Sequence, residues 1–126
     1  MIHGIGTDIV AYARIVDMYA RHGERFAQRV LSPAELSEFS LVSNPARKLA
    51  KRFAAKEAFS KAVGSGLRHP VSLRRITIEH DSAGKPVLCF DEVLSDYLSG
   101  LGIAGCHLSL SDERDMVVAF VVIEKR

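Results

Sequence analysis

Tryptophan is absent from the chain, and only two cysteines, Cys89 and Cys106, occur among its 126 residues. There is no Cys-x-x-Cys pair, so neither a disulfide framework nor a thiolate zinc site organises the fold. Both thiols read as small, buried or half-buried side chains in a reducing compartment. Long apolar runs are missing too. The most apolar stretch, Met116 to Ile123, is far too short to span a bilayer. The N-terminal segment Met1-Ile2-His3-Gly4-Ile5-Gly6-Thr7-Asp8 has neither the charged nor the apolar block of a secretory signal, which points to a cytoplasmic location. No internal repeat, low-complexity stretch or linker divides the sequence, so 1–126 is expected to form a single domain. The Gly-x-x-x-x-Gly-Lys-[Ser/Thr] pattern of a nucleotide-binding P-loop is also absent.

What remains is an ordinary globular composition, 48% hydrophobic and 25% charged, which excludes a disordered or fibrous chain. A chain of this length buries roughly two-thirds of its unfolded surface and needs no staple to fold. The net charge of +2 conceals a division. Residues 1–75 hold 13 Lys/Arg against 6 Asp/Glu, whereas residues 76–126 hold 4 against 9. A basic first half suggests an acidic partner: polyphosphate, nucleic acid or an acidic protein.

The pattern predicts a strand from Met1 to Val10, with Ile2, Gly4, Gly6, Asp8 and Val10 on one face and Ile5, Thr7 and Ile9 on the other. A helix from about Ala11 to Arg21 should end near Gly23. Ser32-Pro33-Ala34-Glu35 is a capping-box start for a short helix to about Ser40. The clearest element runs from Pro45 to Val63, capped by Asn44 and stopped by Gly64. Strands follow near Val71–Glu79 and Pro86–Phe90, then a helix from Asp91 to Ser99. A final hairpin pairs about Ala104–Ser111 with Met116–Glu124. Helices and strands mix without strict alternation, which predicts an α+β fold: an antiparallel sheet with a long central helix.

On a helical wheel, Ala46, Leu49, Ala50, Phe53 and Ala54 form the apolar arc of Pro45–Val63, and Arg47, Lys48, Lys51, Arg52 and Lys56 take the rest. Glu57 falls in the middle of the apolar arc, with Lys61 beside it one turn later. A plain i,i+4 ion pair would explain both. A carboxylate that binds a metal next to an ammonium that holds phosphate would also explain them, because a carboxylate on a core-facing stripe needs a partner. Asp8 tips the balance. It shares its face with Gly4 and Gly6, which mark close approach by a ligand or another backbone. Asp suits strand interiors poorly, and Asp8 lies too early to cap the next helix. Asp8 and Glu57 together suggest a shared hard cation such as Mg²⁺. Beyond Lys61, Gly64-Ser65-Gly66 could offer backbone amides to a phosphate, or simply end the helix.

Arg14, Met18 and Arg21 form a stripe on the first helix, and Arg25, placed in the turn that follows, extends the patch. The arrangement is either a solvated charged face or an apolar contact ringed by groups that pair with carboxylates. On the late strand, His107, Ser109 and Ser111 share a face opposite Leu108 and Leu110.

Four ordered segments carry a resemblance. They are Gly4-Ile5-Gly6-Thr7-Asp8-Ile9; the block from Arg52 to Ala62 (Arg-Phe-Ala-Ala-Lys-Glu-Ala-Phe-Ser-Lys-Ala) with Gly64-Ser65-Gly66; Gly84-Lys85-Pro86; and His107 to Asp112. Together they closely resemble the holo-[acyl-carrier-protein] synthases, the small bacterial 4′-phosphopantetheinyl transferases, over essentially the whole chain. The resemblance implies Mg²⁺-dependent transfer of the 4′-phosphopantetheine arm of coenzyme A to a serine of apo-acyl carrier protein, with release of adenosine 3′,5′-bisphosphate. Asp8 and Glu57 match the metal carboxylates, and Lys61 matches the residue that neutralises charge on the pyrophosphate. The base is a metal-bound water or a nearby carboxylate. Arg52, Phe53, Gly64, Ser65, Gly66, Pro86 and His107, with Lys61, match positions lining the coenzyme A site. Arg14, Met18, Arg21 and Arg25 match the surface that docks the acidic carrier. Family members resemble one another in forming trimers with active sites between subunits. Many relatives have His where this chain has Asp112 and others have Asp, so no catalytic role is carried onto Asp112.

Two other classes compete: a coenzyme A- or carrier-binding module without catalysis, and a nucleic-acid-binding protein built on the basic half. The second is disfavoured because the aromatics near the Lys/Arg residues lie largely on the core arc, and +2 overall is weak for a polyanion binder.

Overall fold

The computed structural model describes residues 1–126. The elements run β1 (Ile2–Ala11), α1 (Tyr12–His22), α2 (Glu24–Val30), α3 (Pro33–Phe39), α4 (Pro45–Val63), a 3₁₀ turn (Leu73–Arg75), β2 (Ile76–His80), β3 (Pro86–Phe90), α5 (Glu92–Gly100), β4 (Ile103–Asp112) and β5 (Met116–Lys125). The class is α+β, as expected. A three-stranded antiparallel sheet of order β1-β5-β4 carries α4 on its inner face, and β2 and β3 form a separate two-stranded ribbon. No helix is long and apolar enough to cross a membrane.

Three departures from the expected elements have physical causes. Arg25 lies in a second helix, α2, not in a turn. Gly23 adopts φ +53° between the two helices and lets the chain change direction after one residue. The segment 71–75 is not strand: Arg75 N–H donates to Ser72 O at 3.2 Å, and the ladder starts only at Ile76. On α4, the polar arc read from the wheel holds only for Arg47, Lys48 and Lys51, which are half-exposed. Arg52 and Lys56 are buried, whereas Phe53 and Glu57 lie at the half-exposed rim. A helix enclosed on several sides has no single apolar stripe, so its wheel misplaces the solvent.

Asn44 caps α4 by accepting from Arg47 N–H at 3.1 Å, and Gly64, at φ +97°, ends it. The sheet meets α4 at unusual closeness. A Cβ on Gly6 would lie 2.0 Å from Ala58 O, and one on Gly4 would lie 2.1 Å from Ala62 O. The two strand glycines thus mark approach by another backbone. Register then fixes the faces. Gly4, Gly6, Asp8 and Val10 pair with Ile123, Val121, Ala119 and Val117, all buried on the inner face. The outer face carries Ile5, Ile9, Val118 and Phe120, which remain exposed.

A buried ionic cluster ties the helices together. Glu35 accepts from Ser32 N–H and Ile78 N–H at 2.9 Å each and from Lys56 Nζ at 2.6 Å, while Lys56 also donates to Val30 O at 2.8 Å. Arg52 Nε lies 3.1 Å from Glu35 Oε2, an ion pair not aligned as a hydrogen bond. Burial pushes Lys56 down to about 8 even though the Glu35 carboxylate opposes that shift.

Candidate active site

The close β1–α4 seam decides which side chains can meet. Because Gly4 and Gly6 occupy no side-chain space, the C-terminal half of α4 lies directly on β1, next to the following inward residue, Asp8. Lys61 crosses that seam. Its Nζ donates to Thr7 O at 3.0 Å and to Asp8 Oδ1 at 3.2 Å. The plain Glu57–Lys61 ion pair read from i,i+4 spacing is therefore not formed; the ammonium goes to the strand.

The Asp8 side chain is only 15% exposed, and its second oxygen, Oδ2, is buried with no hydrogen-bond partner. Such an orphaned acceptor costs on the order of 1–3 kcal/mol unless something binds it. Glu57 is close enough for the two carboxylates to repel. Burial first, and then the charge of Asp8, raise the Glu57 carboxyl above its ordinary range, against the pull of Lys61 and Arg14. Arg14, on α1, thus also faces Glu57. No third His, Cys, Asp or Glu joins these two carboxylates. Two carboxylates on rigid strand and helix could hold a hard cation, with the ammonium beside them free to meet a phosphate oxygen.

The glycine turn after α4 is less open than its sequence suggests. The N–H groups of Gly64 and Gly66 both donate to Ser60 O at 3.2 Å, and Ser65 Oγ donates to Gly66 O at 2.8 Å. Two of the three amides considered for phosphate are thus occupied. Phe53, one turn before Glu57, packs half-buried against the core. Arg52 does not join the carboxylates: it is held in the Glu35 cluster and lines a different cavity with Lys48 and His80.

Pro86 and His107 do share a cavity, about 400 Å³, with Lys85, Ser109, Phe120 and Val122. It opens on the outer face of the sheet, on the strand farthest from β1. Within one chain, therefore, these two residues and the carboxylates stand on opposite edges and opposite faces. His107 bonds to the Glu124 carboxylate there. Asp112 pairs loosely with Arg47 and Lys51, at 3.8 Å each, in the N-terminal half of α4 and away from Glu57.

Of the basic stripe, Met18 and Arg25 line a cavity of about 650 Å³ with His22, Phe26, Gln28, Arg29 and Arg74. Arg21 is exposed and paired with Asp17 of its own helix at 3.2 Å. Phe26, Arg29 and Arg74 were not singled out from sequence. The first two belong to the unforeseen α2, and Arg74 belongs to the 3₁₀ turn misread as strand.

Fold and site together define a small α+β protein with two carboxylates and an ammonium gathered at a strand–helix seam. The profile of the 4′-phosphopantetheinyl transferase superfamily matches residues 4–120, and the chain belongs to that family. It is 53% identical over 124 residues to the holo-[acyl-carrier-protein] synthase of Laribacter hongkongensis, covering 98% of this chain and 99% of that one. Its fold is similar to the crystal structure of holo-[acyl-carrier-protein] synthase from Neisseria meningitidis, with TM-score 0.97, 54% identity and coverage of 99% and 100%. The Bacillus anthracis holo-(acyl-carrier-protein) synthase in complex with CoA (3′,5′-ADP) matches with TM-score 0.83 and 35% identity, over 100% of this chain and 99% of that one.

Proposed function

We propose that this chain transfers the 4′-phosphopantetheine arm of coenzyme A to a serine of apo-acyl carrier protein, releasing adenosine 3′,5′-bisphosphate, and so supports fatty acid synthesis. The observation that carries the reading is the Asp8–Glu57–Lys61 constellation at the β1–α4 seam, in a chain whose full-length relatives are named for this reaction.

The unpartnered Asp8 Oδ2 beside a second, charge-repelled carboxylate fits a divalent cation. Asp8 and Glu57 would hold Mg²⁺, and the ion when bound supplies charge withdrawal from the diphosphate of coenzyme A. Lys61 is long and 53% exposed at its side chain, so its ammonium can leave Thr7 and Asp8 for a phosphate oxygen. The carrier serine Oγ forms a bond to the β-phosphorus. The bridging P–O bond breaks, its electron pair leaves with adenosine 3′,5′-bisphosphate, and the serine proton is released. Holding the diphosphate still among fixed charges is the main catalytic contribution available to these side chains.

Met18, Phe26 and the arginines around them (Arg25, Arg29 and Arg74, with Arg14 and Arg21 nearby) suit the acidic carrier: a mostly cationic cavity with two apolar side chains in its lining. The exposed outer sheet face, with Ile9 at 61% and Phe120 at 40%, supports a homotrimer. A neighbouring copy would bring its Pro86–His107 groove toward the carboxylates and give coenzyme A the wall that one chain lacks. The chain acts as one catalytic domain in the cytoplasm.

Incubation with coenzyme A, Mg²⁺ and apo carrier tests the reading by intact mass. The carrier should gain phosphopantetheine. A binding module would bind coenzyme A and leave the carrier unmodified, which would refute the reading.

A further inference from the structure

Lys61 makes two bonds across the seam, and both acceptors belong to the strand that bears the proposed metal carboxylate. Its partner oxygen, Asp8 Oδ1, is on the same carboxylate as the orphaned Oδ2. Glu57 and Arg14 complete the charges facing this point. An ammonium on Asp8 and a divalent ion between Asp8 and Glu57 would place like charges within a few ångströms, and Coulomb repulsion sets them against each other.

We propose that Lys61 is the built-in counter-ion of the carboxylate pair: its ammonium and the divalent ion compete for Asp8, so that ion binding frees Lys61 to hold a phosphate. This rests on the reading of Asp8 and Glu57 as metal carboxylates. Two consequences follow. Lys61 holds ion affinity down in the free protein. Coenzyme A, by drawing Lys61 onto its diphosphate, raises ion affinity beyond what direct phosphate–ion contact gives, and linkage makes the effect mutual. One residue then couples the two loading events.

Calorimetric titration of Mn²⁺, with and without coenzyme A, tests this in the wild-type protein and in Lys61→Met. In the free protein, Lys61→Met should bind Mn²⁺ about tenfold more tightly. The enhancement that coenzyme A produces in the wild type should shrink by about the same factor. Arg14→Met removes a charge that faces Glu57 without touching Asp8, and should change ion affinity much less. A measurement on the wild type alone closes the test if the variant misfolds. The Lys61 ammonium ¹H–¹⁵N resonance should shift when Mg²⁺ is added without coenzyme A. Unchanged ion affinity in Lys61→Met, equal effects of Arg14→Met and Lys61→Met, or a Lys61 resonance indifferent to Mg²⁺ would each overturn the competition and leave the transfer reading intact. Absence of any ion binding by the wild type, with or without coenzyme A, would overturn both the competition and the metal reading.

Discussion

Glu57 sits where burial and the charge of Asp8 both favour its protonated form. Its folded-state value lies above its unfolded value. The group therefore favours folding below the ordinary carboxylate range, and that contribution is lost as pH rises through the raised value. A divalent ion binds the ionised form, so ion affinity should increase with pH across the same window, with proton release on binding. Calorimetry in buffers of different ionisation enthalpy reads that proton directly. An affinity flat across the window would contradict the placement of Glu57 beside Asp8. At this scale the sequence singled out residues that the fold does bring together, for reasons only half right. Asp8 was legible because a carboxylate beside two strand glycines is misplaced for packing. Glu57 was singled out as lying mid-core, yet it stands at the rim. Spacing along α4 suggested its ion pair with Lys61, but the nearer acceptors are on a strand 53 residues away in sequence, and no local pattern encodes that.

The β1–α4 contact is the element on which the site depends. Gly6→Ala would set a methyl 2.0 Å from Ala58 O and 2.7 Å from Ala62 N, both backbone, so strand and helix must separate. A loss of about 3 kcal/mol or more in urea unfolding is expected; wild-type stability would show that the seam is looser than described. Glu35→Ala tests the other side of α4. It would strand the buried charges of Lys56 and Arg52 and should cost about 3–5 kcal/mol. Lys56→Met should cost less in the same measurement, because Glu35 keeps Arg52 and two backbone amides. The ends of α4 were readable because Asn44, Pro45 and Gly64 are chemical punctuation. The buried charges were not, because a wheel assumes one wet face and α4 has almost none. The seven-residue α2 escaped notice because a glycine that stops one helix can equally open the next.

Across the whole molecule, the sheet turns Asp8 inward toward α4 and presents His107 outward among wet and apolar side chains. The outer apolar residues Ile5, Ile9, Val118 and Phe120 lie on adjacent strands in register and form one exposed apolar patch, the kind of surface that marks an interaction site. Phe120→Asp should turn the proposed trimer into a folded monomer by light scattering and should abolish transfer, since Pro86 and His107 would no longer reach a neighbour's carboxylates. A trimer that survives the substitution would place the subunit contact elsewhere. The uneven charge of the sequence has a structural counterpart: the basic half supplies α1, α2 and α4, which carry Lys61 and the proposed carrier face. Where Pro86 and His107 belong was not legible, because in the proposed trimer their relation to Asp8 depends on a second copy.

The carboxylate pair is the core of the proposed mechanism, and the transfer rate of Asp8→Asn at saturating Mg²⁺ and coenzyme A tests it most directly. Carrier mass should be followed alongside coenzyme A binding. Loss of turnover by about 10³-fold or more is expected in a folded protein that still binds coenzyme A. Near-normal transfer by Asp8→Asn would contradict the site.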